Sequence, residues 1–360
     1  MEEAHQGLVV FPSRYDENGM NSCGNINCHP NTVEMFRNSL HNQLWGYQVN
    51  IAQRAGAESF EQCPQTLKDG FKNECRSCHA SCGDCHVAKP NSVGKGFISS
   101  HRFNKNPDQT NQCIACHGAR IGHDFLGDYD RFPPRERDVH STMFKCIDCH
   151  GKEKLHASAL ETDTRYTHAN QASCQDEGCH SSGLPTANIY HGIHMSNLSC
   201  YVCHSTGTYT NCAGCHVDGA YKTDPIYQAN NPAEDFRIGL NPLKSPARPY
   251  KFAVLRHIPV VRTTYDNWGA EGTLVAYDQY PTWKYTSPHS IRRWTARTDT
   301  TGGKLCMESC HIGGYFIDDE ERAKNKQYYL FREYVQSNWP DEVQANESVV
   351  VDGQLPNGWE

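Results

Sequence analysis

The chain has 360 residues, a formal charge of −7 and a hydrophobic fraction of 37%, below the 45–50% or so usual for globular chains. Length alone allows two or three ordinary domains, but the polypeptide core they could build is thin. The acidic balance argues against nucleic acid as a partner, and the longest apolar run near the start, Leu8–Phe11, is too short for a signal peptide or a membrane span.

In chain order, residues 1–74 hold His5, the first cysteine pair and one strong helix signal. Pro12, Gly19, Gly24 and Pro30 punctuate an irregular start. Asn31 or Thr32 is then placed to cap a helix, and Val33, Phe36, Leu40, Leu44, Tyr47 and Ile51 recur at steps of three and four. His41 lies on the flank of that stripe, where it either ligates a neighbouring group or faces solvent. Residues 75–216 are dense in cysteine and histidine, with Gly, Pro and Asn between them, so only short helices are expected. Residues 217–360 change character. Val254–Thr264 and Thr273–Tyr280 carry strand-like residues. Tyr265, Trp268, Tyr277, Tyr280, Trp283, Tyr285 and Trp294 gather there, as packing or as an aromatic relay. Asp318–Glu321 reads as a solvated helix start. Asn197 and Asn346 sit in short glycosylation sequons, a weak signal.

The cysteines follow a rule. Cys75–His79 and Cys82–His86 are C-x-x-C-H copies separated by Ala80 and Ser81 alone. Further copies are Cys113, Cys116 and His117; Cys146, Cys149 and His150; Cys200, Cys203 and His204; and Cys212, Cys215 and His216. Three copies are stretched: Cys23, Cys28 and His29; Cys174, Cys179 and His180; and Cys306, Cys310 and His311. The nine sites use 18 of the 19 cysteines and leave Cys63, read as a buried free thiol rather than an intermolecular link. A single C-x-x-C is equally a zinc site or a disulfide. A histidine after the second cysteine all nine times is instead the signature of covalent c-type haem attachment, two thiols holding the porphyrin and the histidine binding the iron.

These motifs, from Cys23 to His311, resemble the multihaem c-type cytochromes, whose tetrahaem members mix two- and four-residue spacers. The resemblance implies nine covalent c-type haems (heme c, with iron) and the fold class of a multihaem cytochrome c. In such a fold, mostly irregular chain and short α-helices wrap around a haem chain, with minor β structure in the C-terminal third. The expected division is 1–74 with the first haem, 75–216 with seven haems and 217–360 with the last. The core is then mostly porphyrin, and the chain without its groups is largely unfolded.

Of 20 histidines, nine lie inside motifs. Eleven remain as distal ligands: His5, His41, His101, His123, His140, His156, His168, His191, His194, His257 and His289. His140, His168 and His194 each precede a motif cysteine by six residues, and His191 and His194 share a helical face. Eleven for nine fills both axial positions of each iron, which favours electron transfer at low potential over catalysis. The chain therefore reads as an electron conduit rather than an enzyme, with a multihaem reductase and an electron store as alternatives. Expected partners are redox proteins or extracellular acceptors such as metal oxides, and further copies of the chain in a filament joined through His5. Attachment of this kind takes place outside the cytoplasm, so the expected location is extracellular or at the cell surface, with the periplasm as the alternative.

Overall fold

The structure is a computed structural model that describes residues 23–24, 27–75, 80–90, 93–94, 96–100, 102–128, 136–180, 188–210, 233–246, 248–310 and 327–356. His5, Cys78, His79, His101, Cys212, Cys215, His216, His311 and Asp318–Glu321 lie outside the described residues. The chain divides into two compact units, each assembled from separate stretches: 1–50, 71–119 and 144–172 in the first, and 51–70, 120–143 and 173–360 in the second.

The helical stripe expected across residues 33–51 forms as three helices, not one: α1 (Pro30–Arg37), α2 (Leu40–Gln43) and α3 (Trp45–Arg54). Pro30 starts α1, where a missing N–H costs nothing, so the cap is His29 rather than Asn31 or Thr32. The Ser39 side chain accepts from the backbone N–H of Asn42 at 3.3 Å and starts α2 afresh. Leu44 then takes a left-handed conformation, φ +59°, which ends α2 and re-aims the chain. Val33, Phe36, Leu44 and Ile51 are buried as the stripe implies, while Tyr47 is 61% exposed.

Short helices come next: α4 (Gln65–Gly70), α5 (Cys82–His86), α6 (Ile114–His117), α7 (His123–Leu126), α8 (Cys146–Cys149), α9 (Lys152–Leu155), α10 (Ile189–His194) and α11 (Cys200–His204). Several begin at a motif cysteine for a local reason. In Cys82-Gly-Asp84-Cys85 and Cys146-Ile-Asp148-Cys149, the aspartate reaches back to the backbone N–H that precedes the first cysteine. Asp84 meets Ser81 N at 2.8 Å and Asp148 meets Lys145 N at 2.6 Å. Asp176 makes the same contact with Ser173 N at 3.2 Å in the stretched copy. The motif thus carries its own helix start.

The chain beyond α11 corrects the expected fold class. The structure is a mixed α/β fold whose C-terminal region carries two small antiparallel sheets, not a chain wrapped around a row of porphyrins. β1 (Thr208–Thr210) pairs with β2 (Ala233–Asp235), and β3 (Arg237–Leu240), β4 (Phe252–His257) and β5 (Trp283–Tyr285) form a sheet in that order. Arg237 stands opposite Leu255, and Leu255 opposite Tyr285. Val254–Thr264 is therefore strand only to His257, and Thr273–Tyr280 is turns. All of β4 is buried. Val202, Tyr209, Phe236, Ile238, Phe252, Val254, Phe331 and Val351 close one hydrophobic cluster. Each such side chain contributes about 1.5–3 kcal/mol of burial, so this region has a polypeptide core where a porphyrin core was expected. The helices α12 (Cys306–Cys310) and α13 (Arg332–Asn338) complete the order. No helix among the described residues is long and apolar enough to cross a membrane.

Candidate functional site

Four pairs of imidazoles stand at nearly one separation. In the first unit, the rings of His41 and His117 are 6.2 Å apart, centre to centre, and those of His86 and His156 are also 6.2 Å apart. In the second unit, His140 and His180 are 6.3 Å apart, and His191 and His204 are 6.1 Å apart. Each pair joins one histidine from a cysteine motif to one from outside any motif. Edge contact between rings spans about 4.5–7 Å, so packing alone allows these distances. It does not select motif with non-motif four times within 0.2 Å. A metal–nitrogen bond of about 2.0–2.1 Å, and about 1.1 Å more to each ring centre, places two opposed imidazoles about 6.3 Å apart.

A ring nitrogen is held by an oxygen in three of the paired residues, His86, His140 and His204, and in four histidines outside the pairs. His86 Nδ1 lies 2.7 Å from Asn104 O, His204 Nδ1 3.1 Å from Arg292 O, His194 Nδ1 2.9 Å from Tyr190 O, and His289 Nδ1 3.0 Å from Ser287 O. Carboxylates take the place of carbonyls at His123, 2.7 Å from Asp128, at His140, 2.9 Å from Asp138, and at His168, 3.5 Å from Asp163. An oxygen at Nδ1 makes that nitrogen the proton donor and leaves the lone pair on Nε2, the arrangement found behind metal-bound histidines. His191 differs: its Nδ1 is buried with no hydrogen-bond partner, a buried lone pair or proton that calls for an occupant.

Burial favours the neutral form a ligand needs at three of the paired rings, whereas the hydrogen bond to Asp138 raises the pKa of His140. Burial lowers the pKa of His41, and His156 and His168 lower it further. His41 is nonetheless exposed. Burial, then His86, lowers His156, and burial lowers His204, with His191 adding to it.

The thiols place successive motifs side by side within each unit. Cys113 and Cys146 are within hydrogen-bond reach of each other, as are Cys174 and Cys200. Burial, then the nearby Cys113, raises Cys85 to about 12. Burial, then Cys310, does the same to Cys203. None of the described cysteines is in a disulfide, and Cys63 is buried with its pKa raised by burial.

His257 has another role. Its Nε2 meets buried Glu342 at 2.7 Å and its Nδ1 meets the largely covered Glu234 at 3.2 Å. Burial lowers its pKa, but Glu342 and Glu234 prevail and hold it raised to about 10. Thr282 and Asn346 tie the same carboxylate residue into the sheet, and Trp283 and Trp339 flank the ring at 5.2 and 4.1 Å. Of the aromatic residues gathered between 265 and 294, Trp283 packs on this ion pair, whereas Tyr265 stacks on Trp268 and Trp294 is 53% exposed. Asn346 is fully buried, so its sequon is structural. Sequence reasoning missed Glu234, Glu342 and Trp339, whose only signal was an unpaired acidic residue beside aromatics.

No protein-family model matches the chain, no curated protein matches it, and no solved structure matches it. Among the described residues there is no group of three or more His, Cys, Asp and Glu side chains that could hold a metal ion. These findings correct the family assignment. No relative is found from which membership of the multihaem cytochromes or of their filament-forming group could be carried over. Nine heme c centres, electron transport and an extracellular conduit are accordingly not assigned to this chain. The nine Cys/Cys/His spacings are a property of the sequence. What the structure adds to them is narrower: a motif ring centred 6.1–6.3 Å from a non-motif ring, four times.

Proposed function

We propose that the chain is a binding protein that holds several metal-centred groups, each between one motif histidine and one histidine from outside the motifs. His117 with His41, His86 with His156, His180 with His140 and His204 with His191 supply two opposed ligands apiece. With two protein ligands per centre, the remaining coordination belongs to a group the protein does not itself provide. With both opposed positions taken by imidazole, no position faces a substrate, so the role is binding rather than bond-making chemistry.

The observation that carries this reading is the common 6.1–6.3 Å separation of motif with non-motif rings. The test is elemental analysis and intact mass of the protein as purified from its source. Several metal equivalents per chain are expected, with a mass above that of the bare polypeptide. In His41→Ala and His191→Ala, the ligand set of one centre each changes while the others keep theirs. A folded, metal-free chain at the bare polypeptide mass would overturn the reading.

A further inference from the structure

Asp138 is a buried carboxylate that serves two backbone N–H groups and one imidazole. Its Oδ1 accepts from the backbone N–H of His140 at 2.8 Å and lies 2.9 Å from His140 Nδ1. Its Oδ2 accepts from the backbone N–H of Ile291 at 2.6 Å. Val139 N donates to Ile291 O at 3.0 Å, so the two strips of chain are joined from both sides. Asp138 is 2% exposed. An unpaired carboxylate at that depth is costly, and these donors compensate it. The strap it grips continues as Arg292, whose carbonyl holds His204 Nδ1, and begins with Ser287, whose carbonyl holds His289 Nδ1. One strap, residues 287–292, therefore lies behind three imidazoles in the second unit.

We propose that Asp138 is a positioning residue for the His140–His180 centre: it fixes the His140 ring with Nδ1 protonated and Nε2 turned to the bound group, and Ile291 braces it for that task. This rests on the two-imidazole reading. The charge makes His140 a stronger donor than His204, which has a neutral carbonyl behind it. The two pairs of this unit, alike in ring separation, are then unlike in grip.

The test uses the full protein with ring-15N-labelled histidine and added imidazole as the competing probe. In the wild type, His140 shows a protonated Nδ1 and a metal-bound Nε2. In Asp138→Ala, the imidazole concentration that releases the His140 ring falls about 10–100-fold, the usual cost of losing such a partner. Asp138→Asn, which keeps one carbonyl acceptor without the charge, falls in between. His194, whose Nδ1 rests on its own helix at Tyr190 O, reports that the variant is folded and is unchanged. Unchanged release of His140 in a folded Asp138→Ala overturns the proposal. If that variant does not fold, unchanged release in Asp138→Asn overturns it. A wild-type His140 with no metal at Nε2 would overturn the two-imidazole reading instead. The tautomer then decides the role of Asp138: Nδ1–H retained as the sole form in Asp138→Ala speaks against it.

Discussion

The sheet of the C-terminal region and the cysteine-dense stretches use the same side chain for opposite ends. His257 has both ring nitrogens on carboxylates and is walled in by tryptophan. It is a buried cation that finishes a polypeptide core. His86, His140 and His204 each have one nitrogen tied to an oxygen and a second imidazole about 6 Å away. Their surroundings are short helices and half-buried cysteines rather than a closed hydrophobic cluster. The difference shows that a histidine's role here is set by how many of its nitrogens the protein itself satisfies. Where the chain packs on itself, none is left over. At the paired imidazoles the protein adds a second ring, and it is between the two rings that we have proposed a bound group.

The sharpest way to break this comparison is to withhold the groups proposed to lie between the paired imidazoles. In a chain produced without them, the amides of 80–172 should exchange as an open chain does. Those of β3, β4 and β5 should keep protection roughly 100-fold or more, because their stability comes from burial within the polypeptide. Hydrogen exchange read by mass spectrometry separates the two regions directly. Equal protection in both would mean that the cysteine-dense stretches fold on polypeptide contacts alone, and the contrast would collapse.

How much of this was legible in the sequence depends on the same division. The cysteine–histidine spacings and the apolar stripe of residues 33–51 are local patterns, so they were readable, and Val33, Phe36, Leu44 and Ile51 are buried as the stripe requires. The breaks at Ser39 and Leu44 were not, since a capping serine inside a periodic run looks like a polar position on the outer face. The pairing of His41 with His117, or of His140 with His180, joins residues tens of positions apart and has no local signature. The Glu234–His257–Glu342 cluster was misread for a related reason. An isolated histidine in a cysteine-rich chain suggests a ligand, and nothing nearby in sequence announces the two carboxylates that claim it.

A smaller effect sharpens the comparison from the other side. Glu342→Gln removes one of the two carboxylates that keep His257 charged and leaves its ring buried with half its compensation. Breaking a buried pair of this kind costs about 3–5 kcal/mol, which urea denaturation of the C-terminal region would read. The pH dependence carries the same information. The folded pKa of His257 is raised to about 10, above its unfolded value near 6.5. Its contribution is therefore complete below about pH 6.5 and is lost progressively as the pH rises towards 10. The wild-type sheet should weaken over that window, and Glu342→Gln should flatten the slope. A variant that keeps the wild-type slope would show that His257 is not the group that titrates.

The least effect is expected at Cys63, the one cysteine outside the motifs, and it tests whether thiols divide as histidines do. Its side chain is 4% exposed, and its Sγ lies 3.8 Å from Ser59 O, a weak contact at most. Burial raises its pKa, so it is a neutral thiol at ordinary pH, poorly reactive and poorly suited to bind a metal. It behaves as a small apolar side chain. Cys63→Ala removes one sulfur's worth of packing and should cost about 1 kcal/mol, with metal content per chain unchanged. Cys85→Ala, at a half-buried thiol next to His86, should alter the metal content of the His86–His156 pair while leaving the C-terminal sheet intact. If Cys63→Ala also altered that content, burial would not separate packing thiols from those beside a bound group. The distinction between a core that closes on itself and one that waits for a guest would then fail at its simplest residue.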